Sequence, residues 1–293
     1  MAFDMHEEPL ELTTPAGKLS GTLALPGTRG PWPVVLLIAG AGPADRDGNS
    51  ALLPGAPGHM RRLAQALVAK GIASLRYDKR GVGASVHPGL QEEDLRFRHL
   101  VDDAVALAGR LRADPRLGTL LLLGHSEGAL VAKLAARDAP AQAVVSVAGA
   151  GMRACDLMRE QLQGRLPELL EEAVQAALAT LADEQTMDDP PDALCLLFRP
   201  TVQPYLISWF RYDPAEVLAD LPLPALLVHG SADAQVPVRN AELLHAARRD
   251  ARLLLVQEMD HLLAVEGNAD AGPPQIAGAV AELVQQLERS TAA

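Results

Sequence analysis

Short apolar runs alternate along this chain with longer segments whose apolar residues recur every three or four positions. Eight runs read as strands: LELTT (10–14), KLSGTLAL (18–25), PVVLLIAG (33–40), IASLRYD (72–78), TLLLLGH (119–125), AVVSVAG (143–149), PALLVHG (224–230) and ARLLLVQE (251–258). The later runs are continuously apolar rather than alternating, as expected of strands covered by helices on both faces. The first two lie too close together for a crossover and read as a hairpin around Pro15, Ala16 and Gly17. From the third run onward the intervals carry helical periodicity. Residues 59–70 place Met60, Leu63, Ala64, Leu67 and Val68 on one face and stop at Gly71; residues 94–112 do likewise with Leu100, Val101, Ala104, Leu107 and Leu111. SEGALVAKLAARD follows the fifth strand, VRNAELLHAARR the seventh, and QIAGAVAELVQQLE closes the pattern. This alternation predicts an α/β chain with a mainly parallel sheet wrapped by helices.

One interval breaks the rhythm. Between the sixth and seventh strands the chain is far longer than a single crossover requires. Its first part is strongly helical, and after the breaker Asp188-Asp189-Pro190-Pro191 come five of the chain's nine aromatic residues: Phe198, Tyr205, Trp209, Phe210 and Tyr212. The expectation is a sheet domain formed by residues 1–151 and 222–293, with residues 152–221 inserted as a helical cap. The aromatics have two readings, as glue between cap and body and as walls of a pocket; both can hold together.

Composition narrows the class of function. A chain of 293 residues, 48% apolar and 22% charged, has material for a large core. The formal charge of −11 argues against nucleic acid and anionic membrane as partners. The acidic N-terminus lacks the basic and apolar regions of an export signal, and no apolar run has the length of a membrane span. With only Cys155 and Cys195, no disulfide framework is implied, and the expected location is the reducing cytoplasm.

The chemistry centres on GHSEG, residues 124–128. A strand precedes it and a helix begins at it, which is the setting of a nucleophile elbow. Tight packing explains the two glycines but not the serine between them. A serine hydroxyl is a poor nucleophile near neutral pH and needs a base and an orienting acid. In such sheets, reactive groups collect beyond the carboxyl ends of the strands. By that rule His261, after the last strand, is the base. His125 points the other way, His229 packs at the end of its strand, and His6, His59, His87, His99 and His245 fall far from this rim. Asp233, after the seventh strand, is the acid, with Asp260 a weaker alternative. The order Ser126, Asp233, His261 is the one expected of α/β-hydrolases.

After the third strand, AGAGPADRDGNS supplies a glycine-rich loop. Ala41, or failing that Gly42, offers a backbone N–H for an oxyanion site, paired with the N–H of Glu127. Asp45, Asp47 and Asn49 mimic a calcium loop, but Ser50 and Ala56 stand where glycine and glutamate are required, so no metal is expected. Asp45 and Arg46 read as braces of the loop, with Arg46 also a candidate substrate contact. In YDKRGVGAS (77–85), Val86 stands in the third glycine's place of a dinucleotide fingerprint, and Asp78 with Arg80 reads as a turn-stabilising pair. Glu127 is either favoured by the helix dipole or touches polar parts of a substrate.

Together GHSEG, HGSADAQVP, the late Asp260-His261, AGAGPADRDG and YDKRGVGAS resemble the α/β-hydrolase superfamily. More narrowly they resemble bacterial serine esterases whose GxGPxDRDG loop supplies the oxyanion site. The resemblance implies an eight-stranded, mostly parallel sheet with a cap over the pocket, no cofactor, and hydrolysis of small carboxylic esters. Two departures stand out: Ala41 where serine is more usual, and Asp260 where asparagine often precedes the histidine. On this reading Ser126, Asp233 and His261 are catalytic and Ala41, Gly42 and Glu127 form the oxyanion site. Arg46, Tyr205, Trp209 and Phe210 are substrate contacts. Alternatives are a thioesterase or small-peptide hydrolase with the same triad, and a hydrolase-fold binding protein whose triad is vestigial. An elbow serine disfavours dehalogenase and epoxide-hydrolase chemistry, which use aspartate there.

Overall fold

The computed structural model describes residues 5–27, 30–50, 55–85 and 89–292; Val86 and His87 lie outside them. One eight-stranded sheet runs in the order β1-β2-β4-β3-β5-β6-β7-β8. Its strands are β1 (His6–Thr14), β2 (Gly17–Leu25), β3 (Trp32–Ile38), β4 (Ala73–Tyr77), β5 (Leu117–His125), β6 (Ala143–Val147), β7 (Ala225–Gly230) and β8 (Arg252–Val256). The pair β1–β2 is an antiparallel hairpin closed by Thr14 opposite Gly17, and β2 runs antiparallel to β4. Every pairing from β4 to β8 is parallel. The carboxyl ends of β3 to β8 therefore open onto one rim.

Side-chain alternation splits the core into two layers. Val34, Leu36 and Ile38 of β3 and Leu120 and Leu122 of β5 pack with α2 (Phe97–Arg112) and α3 (Glu127–Ala135). Val35, Leu37, Leu121 and Leu123 face the other way, onto α1 (His59–Val68) and α10 (Gly272–Ala292). Burial on both faces explains why these strands read as unbroken apolar runs. All of α3 is buried, including Lys133, because it sits between the central strands and the elements outside them.

Between β6 and β7 lies a helical insertion comprising α4 (Ala154–Leu162), α5 (Glu168–Ala182), the single turn α6 (Cys195–Phe198), α7 (Gln203–Phe210) and α8 (Pro214–Ala219). It has a core of its own, in which Val174, Leu178, Leu181, Phe198 and Phe210 are buried together. Helix α9 (Arg239–Ala247) then returns the chain to β8. The insertion is docked at the first residue of α2. Phe97 stacks on Trp209 with ring centroids 5.7 Å apart and lies 6.1 Å from Tyr205 and 5.6 Å from Tyr212. Its backbone N–H donates to Ser208 Oγ at 2.8 Å. Among the described residues no helix is long and apolar enough to cross a membrane.

Candidate active site

The turn at Ser126 follows from two glycines. A Cβ on Gly124 would stand 1.9 Å from the carbonyl oxygen of Gly128, and a Cβ on Gly128 would stand 2.3 Å from that of Ile38. Strand β5, helix α3 and the neighbouring strand β3 thus meet where no side chain fits. The link between strand and helix is made in one residue, and Ser126 takes φ 55°, ψ −121°, a conformation an L-residue holds only when its surroundings impose it. Its amide donates to Val147 O at 2.9 Å, anchoring the turn to the next strand.

His261 Nε2 lies 3.1 Å from Ser126 Oγ, and His261 Nδ1 lies 2.8 Å from Asp233 Oδ2. An ionised carboxylate only accepts, so Nδ1 carries the proton of the neutral ring and Nε2 turns its lone pair to the hydroxyl. Asp233 is buried; its Oδ1 accepts from the amides of Gln235 at 3.0 Å and Val236 at 2.8 Å. Asp260 points its carboxylate elsewhere, to the amides of Leu262 and Ala264, both at 2.9 Å. Three side chains separated by as much as 135 residues thus meet at one rim.

Further histidines stand behind them. His125 Nε2 sits 2.8 Å from the carbonyl oxygen of His261; a carbonyl only accepts, so the ring donates from Nε2. Burial drives the His125 pKa well below its ordinary value, helped by the neighbouring His59 and His261. His59 packs on His125, centroids 4.8 Å apart, with its pKa lowered to about 4, chiefly by burial. His229 donates from Nε2 to Val236 O at 2.7 Å and is lowered by burial as well. Through these bonds His125 and His229 tie down the loops that carry His261 and Asp233.

The loop after β3 is fastened at three successive residues. Asp45 Oδ1 accepts from the amides of Asp47 and Asn49 at 2.9 and 2.8 Å. Arg46 reaches Asp78 through Nη2 at 2.6 Å and Nε at 3.1 Å, and Thr22 and Ser20 through its remaining fork. Asp47 accepts from buried Arg76 at 2.6 Å. Burial alone would raise the Asp78 pKa, but Arg46 and the amides of Ala84 and Arg46 hold it below the usual carboxylate value. This corrects two expectations. Arg46 is not a substrate contact, because its guanidinium is spent on Asp78, Thr22 and Ser20. Asp78 and Arg80 do not pair with each other: Arg80 reaches across to Asp103 of α2 at 2.6 Å. The acidic loop residues are likewise occupied, and among the described residues no group of three or more His, Cys, Asp or Glu is placed to hold a metal ion.

A cavity of about 80 Å³ lies over Ser126, walled by Ala41, Glu127, Leu130, Met158 and Trp209 among others. Of the expected aromatic walls, Trp209 is there. Phe210 is not; it is buried in the core of the insertion, where its ring contributes packing. Tyr205 has a different task from a wall: its hydroxyl donates to Glu127. Gly42 has φ +79° and looks onto open space, while Ala41 lines the cavity itself.

The residue that reading the chain missed is Lys79. It is 6% exposed; its ammonium donates to the carbonyl of Gly40 and to Glu127 Oε2, the latter at 3.4 Å. Glu127 is therefore neither a simple dipole complement nor free for substrate. It is a buried carboxylate shared by Lys79 and Tyr205. The signal available was the position of Lys79, two residues past β4 on the same rim as Asp78.

The sequence pattern of a protein family described as serine aminopeptidase, S33, matches residues 52–268. Esterase EstD of Thermotoga maritima is 27% identical over 258 residues, covering 87% of this chain and 60% of that protein, so the chain spans about 60% of the relative's length. Among solved structures, Est1E from Butyrivibrio proteoclasticus superposes with a TM-score of 0.65 at 18% identity, over 96% of this chain and 99% of that one. The Pyrococcus furiosus esterase Pf2001 gives a TM-score of 0.64 at 18% identity, over 97% of this chain and 92% of that one. At these identities the structural likeness speaks to the fold, which all of them share.

Proposed function

The chain belongs to the serine aminopeptidase S33 family, and on that premise we propose that it is a serine hydrolase that cleaves carboxylic esters through an acyl-enzyme. The observation that carries this reading is the line from Ser126 through His261 to Asp233, with bonds of 3.1 and 2.8 Å. Ser126 Oγ attacks the ester carbonyl while His261 Nε2 takes its proton; collapse of the tetrahedral adduct returns that proton to the leaving alcohol. Water then attacks the acyl-serine, giving its proton to His261, and Ser126 recovers the proton as the acid departs. Asp233 keeps the ring in the productive tautomer and stabilises the imidazolium.

The oxyanion donors on this reading are the N–H groups of Ala41 and Glu127. Glu127 opens helix α3, and the first amides of a helix have no partner within it. For Ala41 the argument is one of peptide planarity. In a trans peptide the C=O and N–H point in opposite directions. Lys79 holds the Gly40 carbonyl on one side, so the Ala41 N–H is turned to the other. Gly42, the second choice, has no such constraint. We read residues 152–221 as a cap over the cavity, as their bonds to α2 and to Glu127 support.

Ser126→Ala is expected to abolish turnover of p-nitrophenyl acetate and to remove labelling by a fluorophosphonate probe, with the melting temperature nearly unchanged; retained turnover would exclude Ser126 as nucleophile. The family's description favours a second reading, cleavage of small peptides with the same residues. A faster rate on aminoacyl anilides than on p-nitrophenyl esters would decide for it.

A further inference from the structure

The cavity over Ser126 shares part of its lining with a neighbouring recess. Leu157, Gln161 and Gln235 also line a second, larger recess of about 320 Å³ between the end of α4 and the loop that carries Asp233. Gln161 Nε2 donates to Gln235 O at 2.7 Å, so the insertion and the loop are tied where the two spaces adjoin. They differ in character. The inner one is small and mostly apolar. A cavity needs roughly 10–15 Å³ to hold one water, and the inner one's 80 Å³ suit a short acyl chain. The outer one is within the range of small-molecule sites, roughly 300–1,000 Å³, and is open, with Glu160, Gln163, Arg165, Gln235 and Arg239 all exposed.

We propose that this outer groove binds the alcohol portion of the substrate, and that the alcohol is a polyhydroxylated one of sugar type. The proposal rests on reading Ser126 as an ester-cleaving nucleophile. The acyl group remains covalently attached through the second half-reaction and belongs in the enclosed space, whereas the alcohol departs after the first and needs a route to solvent. The groove's chemistry then selects the alcohol. Glutamine amides both donate and accept, as hydroxyls do, and the ion pair of Arg239 with Glu160 presents donors and acceptors side by side. An apolar alcohol would displace water from these groups and return no hydrogen bond for it. An anionic alcohol would meet a groove whose arginine charge is partly cancelled by Glu160, on a chain of net charge −11.

The test compares methyl 6-O-acetyl-glucopyranoside with cyclohexylmethyl acetate, which share the acyl group and the ring size. Two or three net hydrogen bonds correspond to roughly a ten- to hundredfold preference. The sugar ester is expected to have the higher kcat/KM by at least about tenfold, mainly through KM, and Gln163→Ala and Arg239→Ala are each expected to bring the ratio toward one. Equal or lower kcat/KM for the sugar ester, or a ratio unmoved by both substitutions, overturns the alcohol assignment. So does failure to turn over either ester. In that case a fluorophosphonate adduct at Ser126 leaves the hydrolase reading standing, and its absence brings that reading down as well.

Discussion

At the scale of single residues, Lys79 is a buried charge bonded to two of the residues around Ser126. Its ammonium touches the peptide whose N–H belongs to Ala41 and the side chain of Glu127, the two residues read as oxyanion donors. Removing one oxyanion donor outright typically lowers kcat by a hundredfold or more. Lys79→Met, which only releases one, is expected to lower kcat about ten- to a hundredfold with little change in KM. It also strands a buried carboxylate, which costs about 3–5 kcal/mol. The double variant Lys79→Met, Glu127→Gln is therefore expected to recover thermal stability without recovering kcat. Recovery of both would reduce Lys79 to a structural role. Ser126 was legible in the chain because the glycines around it satisfy a local steric demand. Lys79 was not, because its partners, Gly40 and Glu127, are distant in sequence.

At the scale of elements, α3 carries the clearest conflict. Every residue of this helix is buried, and Lys133 is 0% exposed with its Nζ unpartnered among the described residues. Burial, partly offset by the field of Asp213, pushes its pKa down from 10.5 to about 7. The unfolded chain therefore binds more protons than the folded one between about pH 7 and the ordinary lysine value. Stability rises with pH across that window and carries its full penalty below it. Urea titrations at pH 6, 8 and 9.5 are expected to show the native protein gaining stability with pH. Lys133→Met should be more stable than the native protein at pH 6 and lack this part of the slope; an unchanged slope would mean that Lys133 is solvated. The apolar period of 59–70 predicted α1 well because exposure alternates around that helix. Such a pattern is faint in α3, which is buried on every side.

At the scale of the whole molecule, the insertion is a second small core attached to the first through Phe97. A large aromatic truncated in a core costs about 3–5 kcal/mol. Phe97 also holds Trp209, Tyr205 and Tyr212. Phe97→Ala is expected to lose about that much stability and to speed amide exchange selectively across α7 (Gln203–Phe210), while α1 and α10 remain protected. Uniform exchange over the chain would show that insertion and sheet unfold as one unit. The exposed pair Arg199–Glu92 at the same junction contributes far less, about 0–1 kcal/mol, because water screens it. The bond from Tyr205 to Glu127 links this junction directly to the helix that begins after Ser126.

The sequence by itself determined the eight strands, the helices on both faces, the long interruption between β6 and β7, and the candidates Ser126, Asp233 and His261. Each is written in local terms: an apolar period, a steric need for glycine, or a position just past a strand end. Tertiary structure decided the partners. Arg46 turned to Asp78, Arg80 to Asp103, Phe210 into its own core and Tyr205 to Glu127, because a buried charge or hydroxyl must find its complement wherever the fold brings one. That complement is set by distance in space, which the order of residues along the chain does not record.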